Sequence, residues 1–119
     1  MFKRANEIWE DSIQNIHGGR GLTRIKRLWD PRELSGGIQT VQDATLTIGA
    51  SAGLHPHTNN EEVYYILAGQ GRATIDGRTW DVGPGDTMIV RAGSSHAIEN
   101  TGNTDLRLIV IAGAAKWES

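Results

Sequence analysis

No cysteine occurs among the 119 residues. Disulfides, zinc ribbons, iron–sulfur ligation and thiol catalysis are therefore excluded, and the lack is compatible with a reducing cytosol. No run approaches the roughly 18 apolar residues that a membrane helix needs. The stretch Met1 to Asp11 lacks the apolar segment and cleavage site of a secretory signal, so a cytoplasmic location is expected. Charge of one sign is missing too. The 12 Lys+Arg against 14 Asp+Glu leave a net charge of −2, which gives no electrostatic case for nucleic acid. Neither a repeat, a low-complexity tract nor a linker divides the chain. It reads as one domain, large enough to bury roughly two-thirds of its unfolded surface without staples.

What the chain has in excess is glycine, 15 of 119 residues. Set between short β-like runs, these glycines suggest a turn-rich all-β domain. Thr23–Trp29, Glu62–Leu67, Arg72–Ile75, Arg78–Val82, Thr87–Val90, Ala97–Asn100 and Leu106–Ala112 read as strands. Another is predicted through Gln42, Ala44, Leu46 and Ile48, with Asp43, Thr45 and Thr47 on its other face. Asp76-Gly77 is a two-residue hairpin signal. About nine such strands at roughly 8–12-residue intervals argue for a sandwich or barrel. Ile8, Trp9, Ile13 and Ile16 recur loosely at helical spacing, which predicts a short N-terminal helix or turn over residues 5–16. The last strand is apolar on both faces from Leu108 to Ala112 and is expected to be covered on two sides, one of them by a partner subunit. Lys3, Arg4, Arg20, Arg24, Lys26, Arg27 and Arg32 crowd the first third of the chain. They read as solvated strand faces, with an anion site as the alternative.

Three of the four histidines fall into a spacing that, with Glu62, reads as a metal site. His55 and His57 lie two apart, so an extended strand presents both on one face. Glu62 follows five residues after His57, and His96 reaches the others only through folding. Imidazole nitrogens with one carboxylate suit Mn, Fe, Ni, Co or Zn. His17, among glycines, reads as a turn residue, or else as a proton carrier overhanging the site. Tyr64 lies two residues from Glu62 on the same face and is the candidate catalytic acid or base, with Tyr65 pointing away. Trp29, Trp80, Phe2 and Trp117 read as packing residues, Trp29 and Trp80 alternatively as pocket walls.

At this point the chain resembles the cupins, specifically small single-domain monocupins. Gly49, His55, His57, Glu62 and Gly69 fall at the intervals of the first cupin motif. Gly85, Gly93, His96 and Asn100 fall at those of the second, whose proline position holds Arg91. The resemblance implies a double-stranded β-helix or jelly-roll barrel over residues 37–119, preceded by a segment, 1–36, with a pairing strand. It implies one divalent transition metal per chain on His55, His57, Glu62 and His96. Glu61 competes with Glu62, but Glu62 keeps the six-residue interval to Gly69 and shares a face with Tyr64 and Ile66. Asn100 reads as a turn or strand-end residue. Arg91 reads as an exposed strand-end arginine, or as a catalytic-site cation that grips a substrate carboxylate bidentately. The expected activity is that of a metalloenzyme acting on a small oxygenated molecule. Isomerase, lyase, decarboxylase, cyclase and dioxygenase chemistry all remain open, and a sugar- or acid-binding cupin without chemistry is the alternative. A small-molecule ligand and a homodimer are implied as partners, with neither nucleic acid nor membrane.

Overall fold

The computed structural model describes residues 1–115. Ten strands follow in order: β1 Glu10–Gln14, β2 Leu22–Trp29, β3 Ile38–Leu46, β4 Ser51–Pro56, β5 Asn60–Ala68, β6 Gly71–Ile75, β7 Arg78–Val82, β8 Thr87–Val90, β9 Ser95–Asn100 and β10 Leu106–Ala114. They pair antiparallel in two sheets, one ordered β1-β2-β3-β10-β5-β8 and the other β4-β9-β6-β7. This is the two-sheet antiparallel β-barrel that the resemblance implies. The N-terminal segment adds β1 and β2 to the larger sheet and so shares its core.

Alternation explains which face each strand buries. In β10, Leu106, Leu108, Val110 and Ala112 are buried, whereas Arg107 and Ile111 point outward. The inward set meets Ile25, Ala44, Leu46 and Ile66 of the same sheet and Ile98 of the other. Each such aliphatic side chain contributes about 1.5–3 kcal/mol by leaving water. Outside, Asp43 on β3 takes a bidentate pair from Arg107, Nε to Oδ1 at 3.0 Å and a terminal nitrogen to Oδ2 at 2.6 Å.

Turn chemistry follows the residues present. Asp76 and Gly77 hold φ of 48° and 81°, as the tight hairpin joining β6 and β7 requires. Gly69 sits at φ 88°, and a Cβ there would run into the backbone of Asp105 and Leu106. Only glycine fits both demands.

Three expectations need correction. Residues 10–14 are strand rather than helix. A single 3-10 turn at Ala5–Glu7 precedes them. A window this short satisfies both periods, and pairing with β2 selects the extended one. Ile48 lies beyond the end of β3 and is 64% exposed, because the turn through Gly49 begins before it. Phe2 and Trp80 are exposed rather than packed in the core. Arg4 lies over the Phe2 ring and Arg78 over the Trp80 ring. Trp117 lies outside the described residues. The outer face of β10 is not covered within the chain. Ile111 there joins Val63, Tyr65, Leu67 and Ile89 in an exposed apolar patch.

Candidate metal centre

Three strands and one turn deliver the four side chains singled out by spacing. His55 is on β4 and pairs directly across with His96 on β9. His57 follows β4, and its backbone is fixed to the β8–β9 turn by bonds to Gly93 and Ser94. Glu62 is on β5, two residues before the inward-facing Tyr64. One ligand atom from each of His55, His57, Glu62 and His96 lies within 4.8 Å of the others. Glu61 is not part of the cluster.

The hydrogen bonds around the rings show that this cluster could hold a metal ion. His55 Nδ1 faces the Gly53 carbonyl at 2.8 Å, and His57 Nδ1 faces Asn60 Oδ1 at 2.8 Å. Both partners are acceptors, so each Nδ1 carries the proton and each Nε2 presents a bare lone pair inward. His96 Nε2 stands 3.0 Å from His55 Nε2 and 2.9 Å from His57 Nε2. The Glu62 carboxylate adds a further acceptor, 2.7 Å from His57 Nε2. A proton on His96 Nε2 satisfies at most one of these acceptors, while His96 Nδ1 is buried with no partner among the described residues. Lone pairs aimed at one another in a buried site are costly, and a cation between them removes that cost.

The electrostatics favour the same state. Burial alone would raise the Glu62 carboxyl, but its bond to His96, the neighbouring His57 and His96 imidazoles and the Tyr64 hydroxyl outweigh it and hold it below its ordinary value. Burial lowers His55, partly offset by its bond to Gly53. Tyr64 is pushed well above its ordinary value, first by burial and then by the Glu62 charge. It therefore keeps its proton. Its hydroxyl sits 3.2 Å from Glu62 Oε1 and 3.4 Å from His96 Nε2.

The centre opens into a cavity of about 820 Å³ enclosed by both sheets and the N-terminal segment. His17 belongs to its wall. The ring stacks on His55 with centroids 3.7 Å apart, and burial lowers its pKa. The His17 backbone is left-handed, φ 52°, in a turn tied to β4 where Gly19 and Gly53 meet backbone to backbone. Arg91 is brought elsewhere. It is exposed at the end of β8, its carbonyl accepts from Ser94 N, and it does not line the cavity. Asn100 closes the β9–β10 turn by donating to the carbonyls of Leu46 and Thr104.

Three positions carried no motif: Asn60, which bonds His57 Nδ1, and Arg27 and Gln42, which line the cavity. A signal for Gln42 did exist, since it is the polar member of an inward row with Ala44 and Leu46.

Residues 43–112 match the family described as Cupin domain. An oxalate-binding protein of Thermotoga maritima is 35% identical over 93% of this chain and 92% of its own length. The crystal structure of a predicted oxalate decarboxylase from the same organism superposes with a TM-score of 0.90 at 34% identity, covering 96% of this chain and 99% of that one. A more distant RmlC-like cupin of Shewanella frigidimarina, 17% identical with a TM-score of 0.76 over 97% of this chain and 91% of its own, shares the fold. With both histidine motifs gathered at one end of a two-sheet barrel, this chain belongs to the cupin family.

Proposed function

We propose that the chain is a metalloenzyme that binds a small oxygenated acid at the His55–His57–Glu62–His96 centre and turns it over. The observation that carries the reading is the convergence of four donor atoms at an open cavity, beside a tyrosine whose pKa burial raises well above its ordinary value. His55, His57, Glu62 and His96 would hold a divalent ion, Mn, Fe, Ni, Co and Zn all being suited to the donors, and when bound it would supply polarisation of a substrate oxygen and a lower pKa for an adjacent acidic group. Tyr64 donates its hydroxyl proton in a hydrogen bond to an anionic substrate oxygen. His17 offers an imidazole at the wall to accept or return a proton. Proton transfer next to a carbonyl and decarboxylation both fit this set of groups, and the relative named for oxalate binding supports a chelating acid as ligand.

The test is elemental analysis followed by incubation of the metal-loaded protein with carbon-13-labelled oxalate and 2-oxo acids, read by NMR. Labelled carbon dioxide or a rearranged skeleton is expected. Loss of metal in His55→Ala and His96→Ala is expected with it.

A second reading, a binding module without chemistry, is favoured by one observation. Glu62 is the sole carboxylate lining the cavity among the described residues, and it belongs to the cluster. Ligand recovered unaltered after saturating binding selects that reading. For the assembly we propose a homodimer, supported by the apolar outer patch around Val63, Tyr65 and Ile111.

A further inference from the structure

The inner face of the larger sheet places the centre's tyrosine in line with a cation. Arg27 on β2 lies opposite Gln42 on β3, Gln42 opposite Val110 on β10, and Val110 opposite Tyr64 on β5. One row of side chains thus crosses the sheet from the candidate metal centre to a guanidinium, and all four residues line the cavity. Three strand spacings separate the two ends, about 14 Å between backbones.

Between them the surface is apolar. Leu108 and Val110 form the floor, and Ile98 faces them from the other sheet. Oxalate has no apolar part and is too short to touch both ends. It would leave most of a cavity of about 820 Å³ unfilled, a size in the ~300–1,000 Å³ range that accommodates larger organic ligands.

The far end is built to hold an anion. Arg27 Nε donates to Asp11 Oδ2 at 2.8 Å, and Trp9 Nε1 braces the same carboxylate at Oδ1, 2.7 Å away. This fixes one edge of the guanidinium. The terminal nitrogens have no partner among the described residues. Asp11 already offsets part of the Arg27 charge and the side chain stays 39% exposed, so the free terminal nitrogens remain open to a second acceptor at the cavity wall. A carboxylate suits the free donors of a pre-oriented guanidinium.

We infer that the cavity takes an elongated acid with two anionic ends. Its oxygen-chelating head sits at the metal centre, an apolar chain crosses Val110, Leu108 and Ile98, and a terminal carboxylate is bound by Arg27 beside Gln42. This rests on the reading of the His55–His57–Glu62–His96 cluster as the ligand's other anchor.

Calorimetric titration of the metal-loaded full-length protein tests it with three probes: oxalate, 2-oxooctanoate and 2-oxooctanedioate. The diacid is expected to bind about tenfold tighter than the monoacid of equal length. Arg27→Gln should erase that advantage while leaving metal content and oxalate affinity unchanged. Gln42→Glu sets a negative charge beside the guanidinium, leaves the Arg27–Asp11 pair in place, and should weaken the diacid alone. This second variant carries the test if the first does not fold. A wild-type protein that binds diacid no tighter than monoacid, or an advantage that survives the substitutions, overturns the inference. Oxalate binding with both longer acids rejected overturns the inference and leaves the metal-centre reading standing. Failure of all three probes on a protein that holds no metal overturns both.

Discussion

His96 is the residue on which the centre turns. It is fully buried, and its Nε2 is the one atom in reach of His55, His57, Glu62 and Tyr64 together. Removing it leaves the remaining acceptors without a shared centre. His96→Ala is expected to lower bound metal from stoichiometric to near zero by elemental analysis, with the strand content by circular dichroism retained. Tyr64→Phe is expected to keep the metal, since the phenol is not one of the donors. Turnover should then fall by about 10²-fold if the hydroxyl serves as the acid. At this scale the sequence was legible wherever alternation fixed the face: His55 and His57 do share one, and Glu62 and Tyr64 share another. Arg27, Gln42 and Asn60 were not legible as site residues. Their roles depend on which strand lies beside which, and spacing says nothing of that. Arg91 faces solvent because the β8–β9 turn carries it past the end of the barrel.

At the scale of elements, the β6–β7 hairpin ties the smaller sheet to the turn that anchors His57. Asp76 in that hairpin accepts from the Ser95 amide at 3.0 Å and the Ser94 hydroxyl at 2.8 Å. These two bonds, the backbone one first, hold its carboxyl below the usual aspartate range. A carboxyl depressed in the folded state adds stability that is present above its unfolded pKa and is lost as pH falls through its folded value. Asp76→Asn should therefore flatten the acid side of the urea-midpoint profile and leave its dependence near neutrality unchanged. In β10, Leu108 is 1% exposed, and Leu108→Ala is expected to cost about 2–5 kcal/mol in urea unfolding. The strands were readable because glycine pairs and Asp-Gly steps punctuate short alternating runs. The segment before them was misread because Ile8, Trp9, Ile13 and Ile16 fit a helical period over a few turns. Trp9 in fact faces solvent and only Ile13 and Ile16 reach the core.

For the whole molecule, the two histidine motifs made the barrel legible, while the sheet order was not. Beside β2, the other neighbour of β3 is β10, far along the chain, and no local pattern encodes such a pairing. The outer surface of that central sheet carries the exposed Val63, Tyr65, Leu67, Ile89 and Ile111. A contiguous apolar area on a folded chain marks an interaction face. Sedimentation is expected to give a dimer at micromolar concentration, and Val63→Lys with Ile111→Lys should shift it to monomer without altering metal content.

The contact between Gly19 and Gly53 has its own consequence. It works as a clasp, holding the amino-terminal arm to the very strand that bears the first histidine of the pair. Any methyl at either position would prise the arm away and unroof one side of the chamber. A Gly53→Ala protein should accordingly be nicked by trypsin near Arg20 and Arg24 well before the barrel itself is cut. Occupancy of the chamber should slow that nicking in the unaltered protein, because arm and guest would be held by the same walls.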